Sequence, residues 1–333
     1  MKRQATTARL ARLDIEQMRL ITKVARLHYR VGRRQSEIAD KMGISQASVS
    51  RFLRLAEEHG IVRTIVVPPD GLYPDLEDGL IESYGLDAAY VVDISASEVG
   101  MVHVLGTAAA DCLAHEFNGG FVLGFTSWST TLREMAKQFK LRGPTNIEKV
   151  VEMLGDLGSP MAQHEAALAT SQMAKALDAE AVFLRTPGVM PNAELLKVAM
   201  GDAHIQAALR LLDKLDIAFV GIGPADVDGA VKEGDNFFSA EQLAAVRKIG
   251  AVGQLHQRFI DAQGNPVKTS LDALVVGITL DQLRNARRRI IVAGGAAKHQ
   301  ALAAALTGKW THVLVTDVNS ANYLMTNAPK GKS

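Results

Sequence analysis

Apolar residues at Ile38, Met42, Ile44, Val49 and Phe52 recur at helical spacing along QSEIADKMGISQASVSRFLRLAEEH, residues 35–59, and break into two stripes around Gly43. That pattern predicts two short helices, roughly 35–42 and 46–59, facing one shared core. Ala39 is small where the helices must cross, and Gly43 sits where a tight turn needs positive φ. The positions between the stripes (Ser45, Gln46, Ala47, Ser48, Ser50, Arg51) are small or polar, as a helix lying in a DNA groove requires. The segment therefore reads as a helix-turn-helix. Upstream, residues 14–31 predict an amphipathic helix with Ile15, Met18, Ile21, Ala25 and Leu27 near one face, started by Asp14 as N-cap. Downstream, Gly60 ends the second helix of the motif. IVRTIVV (61–67) is β-branched and suits the strand of a wing.

Pro68, Pro69, Asp70 and Gly71 then mark a linker. Beyond residue 75 the pattern changes to short continuous apolar runs, at 88–94, 120–125, 149–154, 181–184, 217–223, 289–295 and 311–317. Amphipathic helical stretches such as 163–178 and 203–215 separate most of them. Buried strands alternating with helices imply an α/β fold with a Rossmann-like, mostly parallel sheet covered on both faces. The expected organisation is a winged helix-turn-helix domain over 1–67, a linker over 68–74 and a larger α/β domain over 75–328.

Charge sharpens this division. The 333 residues carry a net +1, but residues 1–67 hold 14 Lys or Arg against 6 Asp or Glu, leaving the remainder at −7. A basic module joined to an acidic body is what binding to a phosphate backbone calls for. The single Cys112 excludes an internal disulfide pair and suits a reducing compartment. No run of about 18 apolar residues exists, and the N-terminus lacks a signal-like apolar core. A cytoplasmic protein without membrane contact is expected.

Within the motif, Gln46 begins the recognition helix, and its amide can pair bidentately with adenine. Arg51 can reach guanine or phosphate, and Ser48 and Ser50 either. Ser45 suits the N-cap, while Arg33, Arg34 and Arg54 suit phosphate anchors, with surface ion pairs as the plain alternative. In parallel sheets ligands bind beyond the carboxyl ends of strands, and several loops there carry chemistry. GFTSWSTTLREM (124–135) places Ser127, Ser129, Thr130 and Thr131 at a helix start, an anion cradle in which one hydroxyl alone would suffice for capping. VAGGAAKHQ (292–300) offers Gly294 and Gly295 for close backbone approach and Lys298 in the first turn of the next helix, unfavourable unless an anion lies between. GIGPADVDG (221–229) supplies Asp226 and Asp228. HQRFIDAQG (256–264) supplies Arg258 and Asp261, although DAQGNP is also strong turn chemistry. The histidines show no metal-ligand spacing, and neither a GxGxxG nor a P-loop pattern occurs. No cofactor or metal is expected.

With these residues the chain resembles the SorC/DeoR-type sugar-responsive transcriptional regulators of bacteria. The likeness rests on the helix-turn-helix together with YPDLEDGLIESYGLDAAYVVD (73–93), GFTSWSTTL, GIGPADVDG and AGGAAKHQALAAALTGKWTHVLVTD (293–317). It implies a carboxyl-terminal domain similar to sugar-phosphate isomerases and deaminases, acting as an effector sensor, and tetramers on operator DNA. The family's phosphate loop falls on Ser129, Thr130 and Thr131, its glycine–glycine–lysine motif on Gly294, Gly295 and Lys298, and its acidic sugar-facing position on Asp261. Two departures stand out: Ser129 where the loop commonly has glycine, and Gln254 where an aspartate usually follows Gly253. The expected function is regulation, commonly repression relieved by effector, of a carbohydrate or polyol catabolic operon under a phosphorylated sugar. The alternatives are a sugar-phosphate isomerase or deaminase carrying a DNA module, for which no acid/base pair can be assembled from these loops, and a constitutive DNA-binding protein whose body only oligomerises.

Overall fold

A computed structural model describes residues 14–62, 68–94, 100–115, 121–141, 143–226 and 236–329. The chain divides into two compact units, Met1–Val67 and Pro68–Ser333.

The first unit contains α1 (Ile15–Ala25), α2 (Gln35–Met42) and α3 (Gln46–Glu58). Val24, Ile38, Ala39, Val49 and Leu53 form its core, with Met42, Ile44 and Phe52 packed against them. Gly43 closes α2 at φ 65°, left-handed as the turn requires. Ser45 caps α3, its hydroxyl accepting from Ser48 N–H at 3.2 Å. The expected helix over 14–31 is present, with one irregularity: α1 continues past Ala25 without a break into a π-helical turn, Arg26–Arg30, closed by Val31 N–H donating to Arg26 O at 3.2 Å. One expectation is corrected: Ile15 and Met18 stay exposed, at 65% and 42%, because Ile21, Val24 and Ala25 are the residues α1 buries. The expected wing strand falls mostly on 63–67, outside the described residues.

In the second unit the elements run α4 (Pro74–Tyr84), β1 (Ala88–Val92), α5 (Met101–His115), β2 (Val122–Phe125), α6 (Thr130–Gln138), β3 (Lys149–Glu152), α7 (Pro160–Leu177), β4 (Glu180–Val182), α8 (Ala193–Ala199) and α9 (Ala203–Leu211). There follow β5 (Ile217–Val220), β6 (Gly223–Pro224), α10 (Ala240–Lys248), β7 (Ala251–Leu255), β8 (Arg258–Asp261), β9 (Pro266–Val267), α11 (Leu280–Asn285), β10 (Arg288–Val292), α12 (His299–Thr307), β11 (Val313–Asp317) and α13 (Val318–Thr326).

Seven strands form one sheet in the order β1-β11-β10-β5-β2-β3-β4, and every pairing in it is parallel. Alternation within buried strands decides which face each side chain covers. Ile217 and Phe219 of β5 pack with Leu113, Leu132 and Met173 from α5, α6 and α7. Ala218 and Val220 of the same strand pack with Leu80, Leu302 and Leu324 from α4, α12 and α13. The sheet is therefore wound on both faces, which explains the continuous apolar runs in the sequence. Strand order turns at β2 and β5: from β2 the chain builds outward through β3 and β4, while β10 and β11 extend the other way beyond β5. The loops after β2 and β5 leave the sheet there, at the point where parallel sheets place their ligand crevice.

A second, antiparallel sheet, β6-β7-β8-β9, was not anticipated. The sequence reads GIGPADVDG as a plain strand-end loop, whereas Gly223 and Pro224 pair with Gln254 and Gly253 to begin this sheet. Phe238 and Phe259, with ring centroids 5.7 Å apart, anchor its core. It is joined closely to α12. A methyl group on Gly253 would lie 2.8 Å from the Ala301 side chain, and the indole N–H of buried Trp310 donates to Gly264 O at 2.7 Å.

Candidate functional site

In the amino-terminal unit, α3 exposes Gln46, Ala47, Ser50, Arg51 and Arg54, residues spaced to share one helical face. Val49, Leu53 and Ala56 bury the other. Ser48 is half-buried, and its hydroxyl lies 2.9 Å from that of Ser45, so both serve the helix start. Arg33 and Arg54 each lie 3.7 Å from a carboxylate one turn on, Glu37 and Glu58. Such exposed pairs are worth about 0–1 kcal/mol and yield readily to a phosphate. Arg34 is exposed at the start of α2, where its backbone N–H donates to Glu37 Oε2 at 3.2 Å.

In the carboxyl-terminal unit a cavity of about 240 Å³ opens at the crevice between β2 and β5. Four parallel strands aim their carboxyl ends at it. Thr126, Trp128, Ser129 and Thr130 follow β2; Leu154 and Leu157 follow β3; Gly221, Ile222 and Gly223 follow β5; Lys298 follows β10. The β7–β8 hairpin closes the remaining side with Gln254, His256 and Gln257. The two central loops approach closely: a methyl group on Gly221 would meet Thr126 Cγ2 at 3.3 Å and Ser129 Cβ at 3.4 Å.

The hydroxyls of the first loop have separate places. Ser129 caps α6, accepting from Leu132 N–H at 3.3 Å, and also lines the cavity. Thr130 is exposed into it. Ser127 and Thr131 are buried and not among the lining residues. The start of α6 thus offers Ser129, Thr130 and unpaired first-turn N–H groups to an anion.

Lys298 closes a 3-10 turn, Ala296–Lys298, immediately before α12 rather than within it. Gly295, at φ 90°, donates its N–H to Asp317 Oδ2 at 2.8 Å and Ser320 Oγ at 3.1 Å. A side chain on Gly294 would collide with that same carboxylate. Asp317, buried at the end of β11, also accepts from Asn319 N–H, Ser320 N–H and the Ser320 hydroxyl. Desolvation pushes its carboxyl up, but the Ser320, Gly295 and Asn319 donors prevail and hold it below the ordinary carboxylate range. The glycine pair therefore permits a packed loop whose far end delivers Lys298.

Besides Ser127, Thr131 and the glycine pair, the expected effector residues Arg258, Asp261 and Asp226 do not line this cavity. Arg258 is buried beneath the second sheet, where its guanidinium donates to the carbonyls of Asp272 at 2.8 Å, Ile278 at 3.2 Å and Val275 at 3.5 Å, and pairs with the Asp272 carboxylate. It is a structural clamp. Asp261 caps its own turn, accepting from Gln263 N–H at 2.9 Å and from Asn265 N–H at 2.8 Å, so the turn chemistry of DAQGNP accounts for it. Asp226 pairs with Arg247 at 3.0 Å. Asp228 lies outside the described residues.

The sequence reading missed Thr126 and His256. His256 and Gln257 occupy the two-residue hairpin turn at φ 52° and 60°, a conformation that usually selects Asn-Gly. Thr126 Oγ1 lies 2.7 Å from Phe219 O and 2.8 Å from His256 Nε2. A carbonyl only accepts, so the threonine proton goes there and Nε2–H of His256 donates to the threonine oxygen. Burial, reinforced by the nearby Arg258 charge, pushes the imidazole down to about 3. Its remaining nitrogen, Nδ1, is a bare acceptor with no partner. Two apolar runs flanking a two-residue HQ step were the available signal for the hairpin.

A doubly wound sheet with a small cavity of mixed polar and apolar lining at its switch point, in one chain with a helix-turn-helix, defines the class of ligand-responsive DNA-binding regulators. Residues 72–326 match the family model described as "Putative sugar-binding domain", and the chain belongs to that family, as a transcriptional regulator of the SorC/DeoR type and not an enzyme. It is 31% identical to the deoxyribonucleoside regulator of Bacillus subtilis (strain 168) over 314 residues, 94% of this chain and 99% of the relative. It is 29% identical to the sorbitol operon regulator of Klebsiella pneumoniae, covering 93% and 98% of the two chains. The crystal structure of full-length SorC from Klebsiella pneumoniae superposes with a TM-score of 0.69 at 27% identity, over 93% of this chain and 99% of that one. No helix among the described residues is long and apolar enough to cross a membrane.

Proposed function

We propose that this chain controls a cytoplasmic carbohydrate or polyol catabolic operon, binding operator DNA through α3 and answering to a phosphorylated sugar or polyol. One observation carries the reading: Ser129 and Thr130 at the start of α6 share a switch-point cavity with Lys298. Backbone N–H groups, hydroxyls and an ammonium are the donors a phosphate takes. In this reading residues 1–67 are the DNA-binding domain, 68–74 the linker and 75–328 the sensing and oligomerisation domain. Gln46, Ser50 and Arg51 face base edges, Arg33, Arg34 and Arg54 face phosphates, and Ser45 and Ser48 support the helix start. The protein acts as a tetramer and represses until effector binds. The effector changes DNA affinity only by its differential affinity for two arrangements of the protein.

A thermal-shift screen across sugars, polyols and their phosphates, repeated with operator DNA present, tests this. Phosphate esters should raise the melting temperature and shift operator affinity, and Lys298→Ala should abolish both responses while leaving effector-free operator binding intact. A screen in which no phosphate ester stabilises the protein would sink the reading.

A further inference from the structure

The β7–β8 hairpin tip presents polar side chains to the cavity at an energetic cost. A residue with a Cβ in the left-handed region costs roughly 1–2 kcal/mol, and His256 and Gln257 both adopt it in succession. Asn-Gly would form the same turn with less strain. Strain held next to a cavity points to the side chains as the reason for it.

Those side chains form a wall of one chemical kind. His256 is 94% buried, since 6% of it is exposed; its Nδ1, an acceptor that the hydrogen-bond order around Thr126 leaves unpartnered, is itself buried, so the ring adds an uncharged surface beside the amides. Gln254 and Gln257 carry amides, each both donor and acceptor. Hydroxyl groups match this wall, because each hydroxyl also donates and accepts. Among the described lining residues there is no carboxylate, and Lys298 is the one ionised side chain. Bringing an ammonium against such a wall removes its water without supplying a counter-charge, and desolvating an ion costs several kcal/mol. A second phosphate would meet the same obstacle with the opposite sign. The volume, about 240 Å³, lies below the roughly 300–1,000 Å³ of sites for drug-sized ligands, which suits a single sugar unit.

We infer that Gln254 and Gln257, on the hairpin that His256 ties to Thr126, are specificity-determining residues, selecting a monophosphate ester whose sugar or polyol end is uncharged and rich in hydroxyls. Amino-sugar phosphates and bisphosphates are excluded. This rests on the phosphate reading above and adds what the opposite end of the ligand must be.

Isothermal titration of the full-length protein with glucose 6-phosphate, glucitol 6-phosphate, glucosamine 6-phosphate, fructose 1,6-bisphosphate and inorganic phosphate tests it. An uncharged monophosphate should bind at least about tenfold more tightly than glucosamine 6-phosphate and the bisphosphate, a difference of about 1.4 kcal/mol. Gln254→Asp should narrow the glucose-to-glucosamine ratio about tenfold or more, and Gln254→Asn should preserve it. Equal binding of amino and neutral esters, equal binding of the bisphosphate, or a ratio unmoved by Gln254→Asp overturns the inference. Binding of inorganic phosphate but none of the esters also overturns it. Should Gln254→Asp fail to fold, the comparison of esters on the unaltered protein decides. Failure of every phosphate compound to bind would instead overturn the phosphate reading itself.

Discussion

Gly295 donates its backbone N–H to Oδ2 of the buried Asp317 over 2.8 Å, and that bond ties the loop bearing Lys298 to the end of β11. A methyl group on neighbouring Gly294 would collide with the same oxygen. Gly294→Ala must therefore push the loop or the carboxylate aside. Overpacking of this kind costs typically 1–3 kcal/mol, so the urea midpoint of the carboxyl-terminal unit should fall. Phosphate-ester affinity should fall with it, because Lys298 moves. A variant with undiminished midpoint and affinity would show that the loop tolerates the shift.

Asp317→Ala should be more severe. It removes the acceptor of the Asn319 N–H, the buried Ser320 N–H and the Ser320 hydroxyl, and leaves the Gly295 N–H only the Ser320 oxygen; a buried donor so stranded costs roughly 1–3 kcal/mol. Chemical denaturation should show the loss, with Asp317→Asn falling between the variant and the unaltered protein. An alanine variant as stable as its parent would mean that water or a moved side chain replaces the acceptor.

His256 gives the carboxyl-terminal unit a specific pH dependence. Its folded value of about 3 lies below the ordinary 6.5 because burial and then Arg258 oppose its charge. The unfolded chain binds that proton more readily, so stability is lost as pH falls from about 6.5 towards 3. Linkage puts the loss near 2 kcal/mol by pH 5 for this one group, given a folded value of about 3. His256→Asn suits the left-handed turn and removes the titration. The stability difference between parent and variant, followed by urea denaturation, should shrink by about 2 kcal/mol between pH 7.5 and 5. A difference flat across that interval would mean His256 takes up a proton in the fold.

For the DNA-binding unit, Gln46→Ala should weaken binding to the specific operator more than to random DNA; equal losses would remove Gln46 from base reading. Arg34→Ala and Arg51→Ala should each reduce the slope of log affinity against log salt by about 0.9 if the guanidinium meets a phosphate. Fluorescence anisotropy over a salt series measures both. An unchanged slope marks an arginine that does not touch the backbone.

Gly43→Ala isolates a purely conformational effect. The position has φ 65°, and nothing lies within 4 Å of where a Cβ would be. The cost is therefore strain alone, about 1–2 kcal/mol, with Gly43→Asn cheaper because asparagine tolerates that region. The melting temperature of the amino-terminal unit should follow the order Gly, Asn, Ala.

Much of the fold was legible because the signals were local. Gly43, Ser45 and the stripes around them placed α2 and α3. Runs such as IAFVGIG and THVLVTD marked strands buried on both sides, and the hydroxyl loop and Lys298 lay at strand ends, where parallel sheets bind ligands. The failures came from partners distant in sequence. Arg258 looks like a ligand residue along the chain, but Asp272 and Ile278 engage it in three dimensions; Asp261 instead follows the local turn that DAQGNP offered as its alternative. His256 was invisible because its role depends on Thr126 and Phe219, and no spacing rule links those positions. The π-turn after Ala25 likewise leaves apolar periodicity almost unchanged.

The cavity is encoded unevenly. The side that holds Ser129, Thr130 and Lys298 draws on loops scattered from Thr126 to Lys298, each bound into a different part of the large sheet. Its other wall, Gln254 to Gln257, is a single short run of codons in a hairpin held against α12 through Gly253 and Ala301. If the proposed roles hold, exchange of that run alone, with Gly253 retained, rewrites which metabolite the regulator answers while its anion-binding side and its helix-turn-helix pass unchanged to the descendant. A lineage of such proteins can thus diversify by small replacements at one locus, without rebuilding the scaffold.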